Sequence, residues 1–159
     1  MLERILFALT FTAAIGSGLV AGIFFAFSTF VMAALGRIPP EQGIAAMQSI
    51  NITVLNPAFF IAFLGTGAVC LALAAGSYVW WGEASGKLVL AASLIYLVGC
   101  IGVTMVCNVP LNNALAAAQP NTPEATTLWS RYLSTWTAWN HLRTVAPLLS
   151  AILFMAALL

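Results

Sequence analysis

The residues able to do chemistry crowd into the second half of this chain. Trp129, Tyr132, Trp136, Trp139, Asn140 and Arg143 recur at three- and four-residue intervals. At about 100° per residue, that spacing sets them on one face of a helix. Ser134, Thr137, His141 and Thr144 form a second polar strip beside them, and Ala138, Leu142, Val145 and Ala146 leave an apolar arc for lipid. Upstream, Thr104, Asn108 and Asn112 share a helical face, which Pro110 is placed to bend. Tryptophan, asparagine, histidine and arginine together suit a carbonyl oxygen on a flat ring, as in a quinone. Arg143 stands out, because an ionisable group deep in an apolar segment is expensive and is kept for a reason. Each type also has a plain structural use. Asn108 and Asn112 serve equally as glue between helices, the tryptophans as an interfacial belt, and Arg143 as a cation held by amides and carbonyls. His141, two residues from Arg143, faces a pocket, a neighbouring helix or the headgroups.

The elements that carry these residues follow from composition. The chain has 159 residues, 62% of them hydrophobic and 6% charged. Soluble domains carry roughly 25% charged residues, so this chain cannot cover a water-facing surface, and lipid is the solvent that fits. The formal charge is +1, with no basic run and no call for nucleic acid. Four apolar segments reach the roughly 20 residues that a span needs. They cover about 5–35, 57–80, 88–118 and 124–159. Arg4 before the first run looks superficially like a signal peptide, but Ile5 to Leu35 is far longer than such a region. An uncleaved helix is expected. Pro57 after Asn56, and Pro123 after Thr122, mark helix starts. Between the first two spans, Pro39, Pro40 and Glu41 open a short helix striped with Ile44, Met47 and Ile50. The link from Trp81 to Lys87 is short enough for an antiparallel hairpin. The expected fold is all-α, a single domain over 1–159. It is an integral membrane up-down four-helix bundle with a short extra helix between the first two spans.

Up-down order gathers the polar residues at the end away from the termini. The first span ends with Phe24 and Ser28, the connection adds Gln48, Asn51 and Asn56, and the third and fourth spans bring Asn108, Asn112 and the Trp129–Arg143 face. Three of the helices would be roughly 45–50 Å long, against a hydrocarbon core of about 30 Å, so they project there as a collar. Trp80 and Trp81 are expected in an aromatic belt at the other end. Ala14, Ser17, Ala21 and Ser28 make a small-residue packing seam, with a GxxxG spacing at Gly18 and Gly22 nearby, and a homo-oligomer stays open. Arg4 and Lys87 on the terminal side barely differ from Arg37 and Arg131 on the other, which leans toward cytoplasmic termini in a bacterial inner membrane.

Metal chemistry has little to work with. The chain has one histidine and no aspartate, and Glu3, Glu41, Glu83 and Glu124 sit at helix ends or in loops, so no transition-metal ligand set is expected. No cofactor is expected; haem on His141 or a bound quinone are the weaker readings. Cys70, Cys100 and Cys107 lie in apolar stretches and read as small core residues. Nucleotide-binding and hydrolase motifs are missing.

The strings GIFFAFSTFVMAAL from Gly22, AMQSIN from Ala46, LNPAFF from Leu55, NVPLNNALA from Asn108 and WTAWNHLRT from Trp136 resemble the small four-helix membrane family that includes the fungal anthrone oxygenases. The resemblance spans nearly the whole chain. It implies an oxidoreductase that uses O₂ to convert a polycyclic phenol or anthrone to a quinone without a cofactor. On that reading His141 is the base, imidazole being the side chain most often used to take a proton near neutral pH. Arg143, Asn140, Asn108 and Asn112 hold a developing phenolate or enolate oxygen. Trp136, Trp139, Tyr132 and Phe24 form the aromatic slot, with Ser28 and Asn51 completing the substrate pocket. Two other classes compete. One is a non-catalytic membrane module that binds a quinone, haem or lipid. The other is a structural or transport subunit, against which stands the lack of ionisable groups through most of the second and third spans.

Overall fold

The computed structural model describes residues 1–77 and 84–159. Trp80, Trp81 and Glu83, and with them the expected belt pair and most of the polar link, lie outside the described residues. Among those described, every regular element is helical. We number five: α1 (Leu2–Leu35), α2 (Pro40–Thr53), α3 (Pro57–Gly76), α4 (Ser85–Ala116) and α5 (Pro123–Ala157).

Helix starts follow the cap residues. Asn56 precedes α3 in extended backbone, and its Oδ1 accepts the Phe59 N–H at 3.0 Å. Thr122 does the same for α5, accepting from Ala125 N–H at 3.2 Å. In both, proline occupies the first turn, where its missing N–H costs nothing. The long helices are not uniformly α. α1 widens to a π turn at Phe27–Val31, α3 at Ile61–Gly65, and α4 at Leu97–Gly102 and Thr104–Asn108. In α4 the second wide turn immediately precedes Pro110, whose ring would otherwise press on the Val106 carbonyl. α5 stays α-helical through the buried Pro147.

α5 packs on α1 and α4, and α3 closes the ring against the other side of both α1 and α4. Contacts along α4 and α5 run in opposite directions: Ser150 Oγ donates to the Ala92 carbonyl at 2.8 Å, and Asn108 Nδ2 donates to the Trp136 carbonyl at 3.2 Å. α2 lies across α4 and α5 at the end away from the termini. There Gln48 Nε2 donates to the Leu115 and Ala118 carbonyls at 2.8 and 3.0 Å, tying α2 to the carbonyl end of α4. Two apolar cores result. One runs through the terminal half around Phe24, Phe63, Cys70, Tyr96, Cys100 and Phe154. The other lies under α2, around Met32, Ile44, Met47, Leu115, Trp129, Tyr132 and Trp136.

The outer surface is apolar. Phe7, Phe11, Ile15 and Leu19 of α1, Ile61 and Leu71 of α3, Val98 and Val106 of α4, and Leu148, Ile152 and Met155 of α5 are all exposed. Such a continuous apolar girdle belongs in lipid, not water. α1, α3 and α4 are long and apolar enough to cross a membrane, which marks an integral membrane protein. α5 has 35 residues, but its first half carries the polar face, and its apolar run begins only at Val145. Among the described residues, three helices therefore meet the requirement of length and hydropathy.

Small residues set the closest approaches. Gly99 of α4 faces Ala146 of α5 so tightly that a Cβ on Gly99 would stand 2.6 Å from the Ala146 Cβ. Ala146 is thus buried, not part of the lipid arc expected for it. Ala14, Ser17 and Ala21 are buried as a seam, whereas Gly18 and Gly22 face open space. The pair of positions makes a test. Gly99→Leu overpacks the α4–α5 contact and lowers stability by about 1–3 kcal/mol, read as a lower unfolding temperature in detergent. Gly18→Leu leaves that temperature unchanged.

Candidate functional site

The site forms where the two cores meet, and it is built around Arg143. This side chain is 5% exposed, and every group it touches is neutral. Nη2 donates to Asn140 Oδ1 at 2.9 Å and Nη1 to Thr104 Oγ1 at 3.3 Å. The guanidinium lies between two rings, with its carbon 4.3 Å from the Phe24 centroid and 4.7 Å from that of Trp136. Ring faces attract a cation, most strongly where water is excluded. Arg143 Nε has no hydrogen-bond partner.

A second tier holds this arrangement. Asn140 Nδ2 donates to the Phe24 carbonyl and to Ser28 Oγ, both at 2.8 Å. Thr144 Oγ1 donates to the Asn140 carbonyl at 2.8 Å and lies 2.9 Å from Ser28 Oγ, so the Ser28 proton points to Thr144. The chain of bonds locks α1 to α5 at the start of the wide turn of α1. Asn140, Arg143 and Thr144 meet because residues three and four apart share a helix face.

The aromatic wall obeys the same spacing. Trp129, Tyr132 and Trp136 stack with centroids 5.6 and 5.8 Å apart. Asn112 Oδ1 accepts from both Tyr132 Oη at 2.8 Å and Trp136 Nε1 at 2.7 Å, fixing the ring planes against α4. Phe27 tilts onto Trp136 at 5.8 Å. Behind them, Gly43 of α2 admits Trp129; a Cβ there would stand 2.8 Å from the ring.

These residues enclose a cavity of about 110 Å³, walled by Phe24, Phe27, Phe59 and Trp136 and by aliphatic side chains of α1, α2, α4 and the turn after α2. Its polar lining is Asn51, Thr104, Asn112 and Arg143. Asn51 Nδ2, like Arg143 Nε, makes no hydrogen bond of good geometry, although the Asn51 side chain lies beside the Tyr132 hydroxyl. Two residues that line one small apolar space thus each keep a buried nitrogen without a hydrogen bond, which is costly. A wider groove of about 370 Å³ adjoins it, sharing Asn51, Leu55, Val109 and Asn112 and adding Gln48 and Asn113. Another cavity, about 220 Å³, lies at the terminal end by Glu3, Phe7 and Thr10, without a comparable set of buried donors and rings. Among the described residues no three of His, Cys, Asp or Glu gather to hold a metal ion.

Of the residues anticipated from sequence, Phe24, Asn51, Asn112, Trp136 and Arg143 line the cavity. Ser28, Tyr132 and Asn140 stand behind and position them. Asn108 is buried with its amide on the Trp136 carbonyl, and its Oδ1 is unpaired. His141 and Trp139 are not brought in. Both are exposed, Trp139 by 40%. Two residues along a helix is about 200° of rotation, so a buried Arg143 carries His141 to the opposite, outer side. A proton-accepting role for His141 inside this cavity has no geometric support. Phe27, Phe59 and Thr104 went unassigned. Phe59 lies in the LNPAFF string and Thr104 on the Asn108 face, but only the docking of α2 and α3 shows that they face the same space.

The sequence pattern of a family described as anthrone oxygenase matches residues 58–153. No curated protein and no solved structure matches the chain. The matched stretch takes in Phe59, Thr104, Asn108, Asn112, Trp136, Asn140 and Arg143, and at more than half of the length it establishes that this chain belongs to the anthrone oxygenase family.

Proposed function

We propose that the chain is a membrane-embedded oxidoreductase. On this reading it forms an up-down four-helix bundle with cytoplasmic termini and oxidises an anthrone-like polycyclic phenol to a quinone with O₂. The observation that carries this reading is the buried Arg143, sandwiched between Phe24 and Trp136 in the wall of a cavity that Asn51 also lines. Flat ring walls and two donors match a ring bearing an acceptor oxygen. The chemistry asks little else of the protein. Ionising an anthrone methylene yields a carbanion delocalised over the fused rings and onto the oxygen, and that electron-rich anion reacts with O₂ directly. One oxygen atom becomes the new carbonyl, and the other leaves as water with the two methylene hydrogens. The guanidinium and amide donors stabilise charge on the ring oxygen, where preorganised donors in a dry site are most effective.

Size constrains the pose. The inner cavity, about 110 Å³, is smaller than the roughly 150 Å³ of an engineered cavity that holds benzene. Only the oxygen-bearing end of a tricyclic ligand enters it, with the remaining rings in the adjoining groove past Asn51 and Asn112. A second reading is a module that binds a quinone without turning it over. It is favoured by the cavity's lining, in which no side chain is placed to take a proton. Purified protein that carries extractable quinone, and returns no product from an anthrone, would establish it; a Soret band would point to haem instead.

Incubation with an anthrone under ¹⁸O₂ is expected to place one labelled oxygen in the quinone, above the spontaneous background. Label at background level would end the oxygenase reading for that substrate. Arg143→Lys keeps a charge but loses the planar, multi-donor head and its ring stacking. Its kcat/KM should fall about tenfold or more, equivalent to roughly 1.4 kcal/mol of transition-state stabilisation. His141→Ala, altering an exposed side chain, is expected to leave kcat/KM within about twofold.

A further inference from the structure

Among the described residues the charge on Arg143 has no counter-ion. Its hydrogen-bond partners, Asn140 and Thr104, are neutral, and so are the rings on either side. The chain contains no aspartate. Among the described residues Glu3, Glu41 and Glu124 are all exposed. The titratable groups whose charge bears on Arg143 are Cys100 of α4 and Tyr132 of α5; α1, α2 and α3 bring none to the cavity wall. A thiol and a phenol are both uncharged acids at neutral pH, so neither balances the cation nor serves as a base. A lone buried cation is costly, and the cost is relieved by an anion placed beside it. Arg143 lines the cavity, so the anion that relieves this cost belongs there.

We infer that this cavity takes its ligand as a preformed aromatic oxyanion, a phenolate or enolate whose negative oxygen pairs with Arg143 and Asn51, and that the ligand's proton is lost to water before binding. The inference rests on the aromatic-ligand reading of the cavity and adds the charge state. It makes the acidity of the ligand the gate. Of two rings of similar size, the one that ionises more readily is selected, and the pH dependence of binding belongs to the ligand instead of to a protein base. The sign follows from linkage: affinity is full above the ligand's own pKa and falls as pH drops through it.

The test uses wild-type protein in detergent or nanodiscs and reads tryptophan quenching, with Trp136→Phe identifying the cavity's share. Three probes suffice: 2-hydroxy-1,4-naphthoquinone, which ionises at mildly acidic pH; 7-hydroxycoumarin, which ionises above neutrality; and 2-methoxy-1,4-naphthoquinone, which cannot ionise. Each acid should bind about tenfold or more tightly as its anion. The two midpoints should be separated as the two acids are in free solution, and the ether should bind weakly at every pH. Arg143→Gln should erase the preference for the anion, while Arg143→Lys should retain part of it. If the ether binds as tightly as the acid, or both acids share one midpoint, the oxyanion inference is overturned while the aromatic site survives. If no probe quenches the protein, both are overturned.

Discussion

A single buried cation organises this protein. Arg143 cannot shed its charge cheaply, because a guanidinium keeps its proton under all ordinary conditions. Nor can it escape to a headgroup region, since its own helix carries it into the gap between α1 and α4. The surroundings therefore meet it with whatever neutral groups can face a cation: an amide oxygen, a hydroxyl and two ring faces. Each of these needs its own support. Asn140 can present its oxygen to Arg143 because its nitrogen is spent on the Phe24 carbonyl and Ser28. Trp136 keeps its plane because Asn112 takes its N–H. Remove the cation, and much of the polar architecture at this level loses its purpose.

The same level is where the helices depart from regular α geometry. Wide turns occur at Phe27–Val31 in α1, Ile61–Gly65 in α3 and Thr104–Asn108 in α4. A π turn inserts one residue into the helix without breaking it, and it re-aims the side chains that follow. Phe27, Thr104 and Asn108 lie within these turns. In lipid, such a departure is tolerable only where other groups satisfy the loosened carbonyls. Asn140 does so for Phe24, and Thr104 Oγ1 bonds back to the Cys100 carbonyl at 2.7 Å.

Satisfaction of polar groups elsewhere sharpens the contrast with the cavity. Ser93 bonds to the Val89 carbonyl, Ser150 to Ala92 and Tyr96 to Phe63, all within 2.9 Å. These are hydroxyls made harmless by nearby backbone, the ordinary way a membrane helix carries them. Ser17, Asn108 and Thr137 each keep one unpaired side-chain atom as well, but Asn51 and Arg143 are the two such residues that line one cavity. Two such residues converging on one cavity are where a ligand is expected.

Much of this was legible in the residues themselves. Apolar run lengths and cap signals such as Asn56-Pro57 and Thr122-Pro123 mark the helices, and three- and four-residue spacing groups Trp129, Tyr132, Trp136, Asn140 and Arg143. The 200° offset of His141 from Arg143 was readable too, because rotation within one helix is pure geometry. Periodicity is silent on which arc a neighbouring helix covers. That depends on contacts between segments distant in sequence, such as Gly99 against Ala146 and Gly43 against Trp129. Only the tertiary structure decided that Trp139 is left outside, that α2 supplies a wall with Met47 and Asn51, and that Phe59 and Thr104 face Arg143 across one cavity. The sequence determined which side chains share a helix face; packing determined which faces meet.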